Sequence, residues 1–154
     1  MGSTTLPAAI LFGRQLCKTE YFCFLDDDDV LLPAALATRL KAIQDEQADV
    51  VVTSGIGTDG TRTLLDPVAV RADPLGEFLK RNWLTSCAGL YRASTVTDVF
   101  FKDLLNYLEW SCVAIRLLES GKKLIFHEAI TYQLFDTANS ASKQLTFESL
   151  NSQV

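Results

Sequence analysis

The amino-acid sequence predicts an α/β fold with a mainly parallel central sheet flanked by helices. Residues 21–25 and 50–54 are short apolar runs, rich in aromatic or β-branched side chains, as the buried strands of parallel sheets are. The segment between them, which Pro33 opens, repeats its apolar residues at helical spacing. A strand, a helix and a strand in this order predict a right-handed βαβ unit with a parallel pair of strands.

Length and composition predict one globular domain that spans residues 1–154. The chain is 48% hydrophobic, which gives its 154 residues enough apolar surface for a core. A net charge of −5 argues against a nucleic-acid partner and against binding to anionic membranes. No apolar run approaches the roughly 20 residues of a transmembrane segment, and residues 1–5 lack the positive charge with which a signal peptide begins. We therefore expect a cytoplasmic protein.

The cysteines and the histidine exclude several kinds of metal site. The four cysteines have no Cys-x-x-Cys spacing and lie mostly among apolar residues, so we expect reduced core residues. With His127 as the one histidine, a site built from several histidines is excluded.

The helix that Pro33 opens is predicted to be amphipathic. The side expected to face the core carries Leu36, Leu40 and Ile43. The side expected to face solvent carries Arg39, Lys41 and Gln44.

The other elements follow in order along the chain. Residues 7–18 are predicted to form a helix, with proline in its first turn. Residues 55–73, with three glycines and several threonines, are predicted to be a loose excursion. The elements expected after it are a short helix at 74–82, a strand at 83–91, a helix or loop at 100–108, a helix at 109–118 ended by Gly121, strands at 123–126 and 130–135, and a polar loop at 137–142.

Four consecutive aspartates follow the first predicted strand. Because side chains alternate along an extended segment, Asp26 and Asp28 are expected to point one way, and Asp27 and Asp29 the other. The carboxyl end of a buried strand is where open α/β sheets bind ligands. Carboxylates this close together repel one another unless a cation lies among them. A hard divalent cation, Mn²⁺ or Mg²⁺, fits oxygen ligands best. The alternative is a solvated acidic turn, but the buried strand before the acids favours the metal site.

The sequence resembles the inverting, nucleotide-sugar-dependent family 2 glycosyltransferases of the GT-A type. Residues 20–33 resemble the family's "geYicfLDaDDvllP" segment, with residues 26–28 as its DXD motif. Further similarities, in the family's order, lie at residues 48–52, 90–94 ("lyRrs"), 109–126 ("EDw…lRl…Gkki"), 132, and 139–142 ("nSxS").

This resemblance implies transfer of a sugar from a nucleoside diphosphate sugar to an acceptor hydroxyl, with inversion. It implies that Asp26 lies near the nucleotide ribose and that Asp28 binds the metal. The predicted metal site comprises Asp28, Asp26 and Asp29. Glu109 stands where the family has the base, although Leu108–Glu109 replaces the usual Glu-Asp. Helix-terminus electrostatics alone also explains an acid at this position.

Tryptophan side chains are the candidates for binding the acceptor. Trp110 and Trp83 each offer an apolar face that suits a sugar ring, although tryptophan is more often a core residue. The acceptor implied is a carbohydrate or a lipid-linked sugar.

The family's N-terminal nucleotide-binding strands, "SViiPtyN" and "iivvDDgSxD", have no counterpart in this sequence. We therefore expect an open sheet edge that is covered by self-association or by a partner.

Two other functions are compatible with the sequence. A non-catalytic or partner-dependent remnant of the same domain would act as an interaction module. A haloacid-dehalogenase-like phosphatase would use Asp26 as nucleophile and Asp28 as acid or base. Such an enzyme also needs an acidic pair at the end of a later strand, where this chain has only His127–Glu128.

Overall fold

A computed structural model describes residues 5–63 and 66–135. The helices are α1 (Leu6–Leu16), α2 (Ala35–Asp45), α3 (Pro67–Ala72), α4 (Pro74–Lys80) and α5 (Glu109–Glu119), with 3₁₀ turns at Ser86–Ala88 and Asp98–Phe101. The strands are β1 (Tyr21–Phe22), β2 (Val30–Leu31), β3 (Val50–Gly57), β4 (Gly89–Arg92) and β5 (Leu124–Leu134). The predicted loop at residues 137–142, and with it the similarity at 139–142, lies outside the described residues.

The described strands form one sheet in the order β1-β4-β3-β5-β2. Its longest ladder is the parallel pair β3–β5, which runs from Val50 opposite Leu124 to Gly57 opposite Leu134. The shorter ladders β1–β4, β4–β3 and β5–β2 are antiparallel. The α/β class with a parallel core is therefore confirmed, and antiparallel strands extend this core on both sides.

The predicted parallel pairing of residues 21–25 with residues 50–54 is wrong. The strand β4 lies between β1 and β3 and is antiparallel to both. Only Tyr21–Phe22 is strand, because the chain turns at the aspartates and returns as β2 at the opposite edge of the sheet. The two edges are thus β1 and β2, and each is a two-residue strand.

The strand β3 is buried on both faces. Val50 and Val52 lie in the main core, which includes Phe126 and Tyr132 of β5. Val51 points to the other face, where it lies in a second cluster with Ile43 of α2. Alternate burial on two faces is what a central strand covered by helices requires.

The helix α2 turns a different side to the core from the one predicted. Arg39 is 0% exposed and lies on the buried side with Ile43, whereas Leu36 and Leu40 are 51% and 37% exposed. The guanidinium of Arg39 donates to Thr53 Oγ1 and Thr131 Oγ1, both on the sheet. These hydrogen bonds hold Nε and Nη2 of a buried cation, although Nη1 is buried without a hydrogen-bond partner among the described residues. Hydrophobic spacing cannot anticipate such a buried arginine.

Three further boundaries differ from the predictions. The strand expected at 83–91 begins only at Gly89, after the 3₁₀ turn at Ser86–Ala88. The strands expected at 123–126 and 130–135 are one strand, β5, whose pairing with β3 shifts register beside Ser54. The expected loose excursion contains α3, which Asp66 caps by accepting from two backbone N–H groups.

The other helices agree with the predictions. The helix α1 has proline in its first turn. Gly121 has φ 67° directly after α5, the left-handed conformation that ends helices. Among the residues described, no helix is both long and apolar enough to cross a membrane.

Candidate functional site: the acidic cluster

The aspartates lie at the carboxyl end of the parallel pair β3–β5. The backbone N–H of Phe135, directly after β5, donates to Asp29 Oδ1 at 3.1 Å. Because parallel strands end at the same edge of a sheet, β3 ends there as well, with Gly57 opposite Leu134. This is the edge at which open α/β sheets bind ligands.

Three of the four carboxylates converge. Asp26, Asp28 and Asp29 are half-buried, and one oxygen of each lies within 4.8 Å of those of the others. Asp27 is exposed. The prediction from strand alternation is therefore right for Asp26, Asp27 and Asp28 and wrong for Asp29. A turn, closed by the N–H of Asp29 donating to the carbonyl of Asp26 at 3.2 Å, brings Asp29 to the same side.

Two neighbouring residues of the 3₁₀ turn at Ser86–Ala88 act on this cluster. Against the effect of burial, the Ser86 side chain lowers the pKa of Asp26. The Cys87 thiol donates to Asp29 Oδ2 at 3.1 Å. With the N–H of Phe135 on its other oxygen, the Asp29 carboxylate is held by two elements that are far apart in sequence.

The electrostatics of the cluster favour a bound cation. Burial raises the pKa of Asp26, the hydrogen bond from Ser86 opposes this, and Asp29, Asp28 and Asp27 raise it further. A carboxyl group with a raised pKa is one whose negative charge is poorly compensated. A divalent cation would supply this compensation.

The geometry of the cluster fits such an ion. Mg²⁺ binds its oxygen ligands at about 2.1 Å in an octahedron, so these oxygens lie about 3 to 4 Å from one another. The three carboxylate oxygens, all within 4.8 Å of one another, approach this spacing without any change in the backbone. Mn²⁺ also suits a site made of oxygen ligands.

Glu109 is the first residue of α5 and is only 5% exposed. Its Oε1 accepts a hydrogen bond from the N–H of Tyr107 at 3.0 Å. The neighbouring Trp110 packs against Phe24, with ring centroids 5.2 Å apart. Since Phe24 lies two residues before Asp26, this contact holds the start of α5 beside the segment that leads into the acids.

The two tryptophans occupy different environments. Trp110 is half-buried and borders that same segment. Trp83 is 2% exposed, donates its indole N–H to the carbonyl of Pro74 at 2.8 Å, and packs edge-on against Phe126. The expectation that Trp83 offers a face to a sugar does not fit this position, because the ring is enclosed by the core.

The phosphatase interpretation is not supported by the topology. His127 and Glu128, which would have to stand in for an acidic pair at a strand end, lie within β5. The N–H of Ala129 donates to His127 Nδ1 at 3.1 Å. The strand before the acids, β1, is also an edge strand rather than a central one.

Sequence reasoning missed the contacts of Ser86, Cys87 and Arg39, because it treated Cys87 only as a core residue and placed Arg39 on the solvent side of its helix. Arg39 Nη2 donates to the carbonyl of Cys87 at 2.5 Å and so supports the turn that carries Ser86 and Cys87. Nothing local marks these residues, since each acts on a partner more than 40 residues away.

Comparison with known proteins agrees with this fold. The sequence pattern of the family described as "Glycosyl transferase family 2" matches residues 3–100 of this chain. The chain therefore belongs to glycosyl transferase family 2. No curated protein matches the sequence.

Among solved structures, the chain is similar to the crystal structure of S. aureus TarS 1-349 in complex with UDP-GlcNAc. The TM-score is 0.61 at 14% sequence identity, and the match covers 94% of this chain. This similarity supports the GT-A-like fold. The match spans 42% of the TarS chain.

Proposed function

We propose that this protein transfers a sugar from a nucleoside diphosphate sugar to an acceptor hydroxyl with inversion of configuration. The observation that carries the proposal is the convergence of Asp26, Asp28 and Asp29 at the carboxyl end of the parallel pair, in a chain of glycosyl transferase family 2. Asp28, Asp26 and Asp29 would hold Mn²⁺ or Mg²⁺, and Asp26 would also approach the nucleotide ribose. The cation would neutralise the charge that develops on the departing diphosphate.

Glu109 is the proposed general base. The contact between the neighbouring Trp110 and Phe24 supports this role, because it holds the start of α5 beside the segment that leads into the acids. A carboxylate at this place would accept the proton of the acceptor hydroxyl as that oxygen attacks the anomeric carbon. Trp110, on the same turn of the helix, would contact the acceptor, a carbohydrate or a lipid-linked sugar.

Donor binding is tested by thermal unfolding with Mn²⁺ or Mg²⁺ and with UDP, GDP and their sugars. A ligand that binds only the folded state raises the unfolding temperature. Uridine nucleotides come first because TarS binds UDP-GlcNAc. We expect stabilisation by one nucleotide only when the metal is present. No shift with any combination would contradict the proposal of a donor site.

Glu109→Gln tests the base. Glutamine keeps the oxygen that accepts from Tyr107 N–H, so the variant should fold and bind donor as the wild type does. Transfer should fall about 10²- to 10⁴-fold, the usual contribution of a general base. Glu119→Gln, an exposed glutamate at the other end of α5, is the matched control. The anomeric configuration of the product, measured by NMR, tests inversion.

A second candidate function is a domain that binds a partner and does not catalyse. One observation favours it: the hydrogen bond from Tyr107 gives Glu109 a structural role that is sufficient to explain a carboxylate there. Stabilisation by nucleotide and metal without any sugar transfer would support this candidate over the first.

The free edges of the sheet lead to a proposal about partners. The strand β1 pairs with β4 on one side and is an edge on the other, so its backbone can accept a further strand. We expect this edge to be covered by a second copy or by another polypeptide. Sedimentation over a concentration series tests self-association, and a monomer at every concentration would leave only a different partner.

A further inference from the structure

The residues that hold the acids point to a role for the 3₁₀ turn at Ser86–Ala88. Ser86 is 4% exposed and Cys87 is 0% exposed, so water does not compete for their side chains. The Cys87 thiol donates to the Asp29 carboxylate, and the Ser86 side chain, against the effect of burial, lowers the pKa of Asp26. The turn thus acts on two of the proposed metal ligands through adjacent residues.

Asp29 is the better fixed of these two acids. Its Oδ2 accepts from the Cys87 thiol and its Oδ1 from the N–H of Phe135, both at 3.1 Å. Donors on both oxygens fix the direction of the carboxylate. Each oxygen of an ionised carboxylate has two acceptor sites, so both can still bind a cation.

We propose that Cys87 is a positioning residue of the acidic cluster, whose thiol holds the Asp29 carboxylate in the orientation in which it binds the cation. This inference rests on the proposed cation site. Groups that hold metal ligands in place typically contribute 10- to 100-fold to metal affinity. Cys87 itself touches neither the cation nor the substrates in this account.

Two features suit Cys87 to this role. Its side chain is 0% exposed, so water does not replace the thiol as the donor to Asp29. Its backbone is fixed as well, because its carbonyl accepts from Arg39 Nη2 at 2.5 Å.

A buried cysteine that serves only as a small apolar residue is the alternative. The two roles differ in what a substitution does. Alanine removes the donor and leaves Asp29 Oδ2 without it, whereas serine has a similar size to alanine and can still donate.

The first experiment is calorimetric titration of the full metal-free chain with Mn²⁺. We expect Cys87→Ala to bind Mn²⁺ about 10-fold more weakly or worse, and Cys87→Ser to stay within about threefold of the wild type. The control is Cys112→Ala, a half-buried cysteine of α5 packed against the main core, which should leave the affinity unchanged. Wild-type affinity in Cys87→Ala, or an equal loss in Cys87→Ser, would overturn the proposal. If Cys87→Ala does not fold, Cys87→Val fills the space without a donor.

A second experiment needs no metal. The amide proton of Phe135, which bonds the same carboxylate, is followed by NMR in the metal-free protein. Its resonance should move in Cys87→Ala and return toward the wild-type position in Cys87→Ser, and an unchanged resonance would count against the proposal.

The two experiments separate this inference from the proposed function. If the wild type binds no Mn²⁺ but Phe135 responds as expected, the cation site fails and the anchoring of Asp29 by Cys87 stands. If the wild type binds Mn²⁺ and neither the affinity nor Phe135 responds to Cys87→Ala, the positioning role fails and the cation site stands.

Discussion

The two ends of the parallel pair β3–β5 differ in how their charged side chains are compensated. At the carboxyl end, three carboxylates converge, and one of them, Asp29, accepts a hydrogen bond from the buried Cys87 thiol. At the amino end, α2 and the start of β5 border a cavity of about 690 Å³ that Lys41, Asp45, Arg71 and His127 help to line.

The charged side chains at the amino end have partners within the chain. Lys41 forms an ion pair with Asp45, Glu46 lies 3.7 Å from Lys123, and Arg71 donates to the carbonyl of Phe126. At the carboxyl end, like charges stand together, and Asp26 has a raised pKa. The size of a cavity is therefore a poor guide to where this fold places its chemistry. Uncompensated charge, held in place by buried donors, is the better guide.

The largest effect is expected from Arg39, which joins α2 to the turn beneath the acids. Arg39→Met removes the buried donor that joins Thr53, Thr131 and the carbonyl of Cys87, although the two threonine hydroxyls keep the hydrogen bond between them. We expect the free energy of unfolding, measured in urea, to fall by about 3 kcal/mol. Lys41→Met, the same substitution on the exposed side of the same helix, should change it by less than about 0.5 kcal/mol. Similar losses in both variants would contradict the buried role of Arg39.

Gly55 is the next strongest test of the packing at the carboxyl end. A Cβ at this position would lie 2.2 Å from the ring of Tyr132, whose hydroxyl is hydrogen-bonded to Thr63 and Thr85. Because this ring is buried and cannot swing away, we expect Gly55→Ala to lower the free energy of unfolding by about 2 kcal/mol. In Gly13→Ala, where a Cβ meets nothing within 4 Å on the exposed side of α1, we expect a gain of about 0.5 kcal/mol. A loss of the same size in both would show that the Tyr132 contact is not the cause.

At the amino end, Asp49 joins the two parallel strands. Its Oδ2 accepts from the N–H of Lys123 at 2.8 Å. Asp49→Ala should therefore lower the free energy of unfolding by about 1 kcal/mol, the usual net contribution of one hydrogen bond. The affinity of this variant for Mn²⁺, measured by calorimetry, should equal that of the wild type. A weaker affinity would contradict the expectation that the amino end takes no part in binding the cation.

The smallest effect concerns the pH dependence of the metal-free protein. Burial raises the pKa of Asp26 above its unfolded value of about 3.9. The folded state therefore holds this proton more tightly, so the resulting stability is complete below the unfolded pKa and is lost as the pH rises through the folded pKa.

In Asp26→Asn the side chain stays neutral at every pH, so this variant does not lose the stability that the wild type loses when the Asp26 carboxyl ionises. In EDTA at pH 7 it should unfold on the order of 2 °C above the wild type, and the difference should vanish near pH 3. A wild type that becomes the more stable of the two as the pH rises would refute the assignment of poorly compensated charge to Asp26.

The features that the sequence predicts well are local ones. The acids follow an aromatic segment directly, so that their place near a strand end could be predicted from residues 21–29 alone. Proline at the start of α1 and Gly121 after α5 act within one turn of the chain. Strand alternation correctly groups Asp26 with Asp28, but these two acids converge within a turn closed by the N–H of Asp29 donating to the carbonyl of Asp26, not along an extended chain.

The features that it misses depend on distant partners. Arg39 points inward because Thr53 and Thr131 meet across two paired strands, which no spacing within α2 reveals. Asp29 joins the cluster because the chain turns and because Cys87 and Phe135 hold it there. The position of β4 between β1 and β3 likewise depends on tertiary contacts, because strands that follow one another in the chain need not pair in the sheet.

The most direct test of the account compares Mn²⁺ binding in Asp28→Asn, Asp27→Asn and Asp45→Asn by calorimetry. Each variant removes one negative charge. Asp28 belongs to the cluster, Asp27 is its exposed neighbour, and Asp45 lines the cavity at the amino end. We predict a loss on the order of 100-fold or more for Asp28→Asn, because the number of charged ligands sets the affinity, and less than about threefold for the other two variants. Equal losses for Asp28→Asn and Asp27→Asn, or wild-type binding in Asp28→Asn, would contradict the proposal that the three converging carboxylates form the metal site.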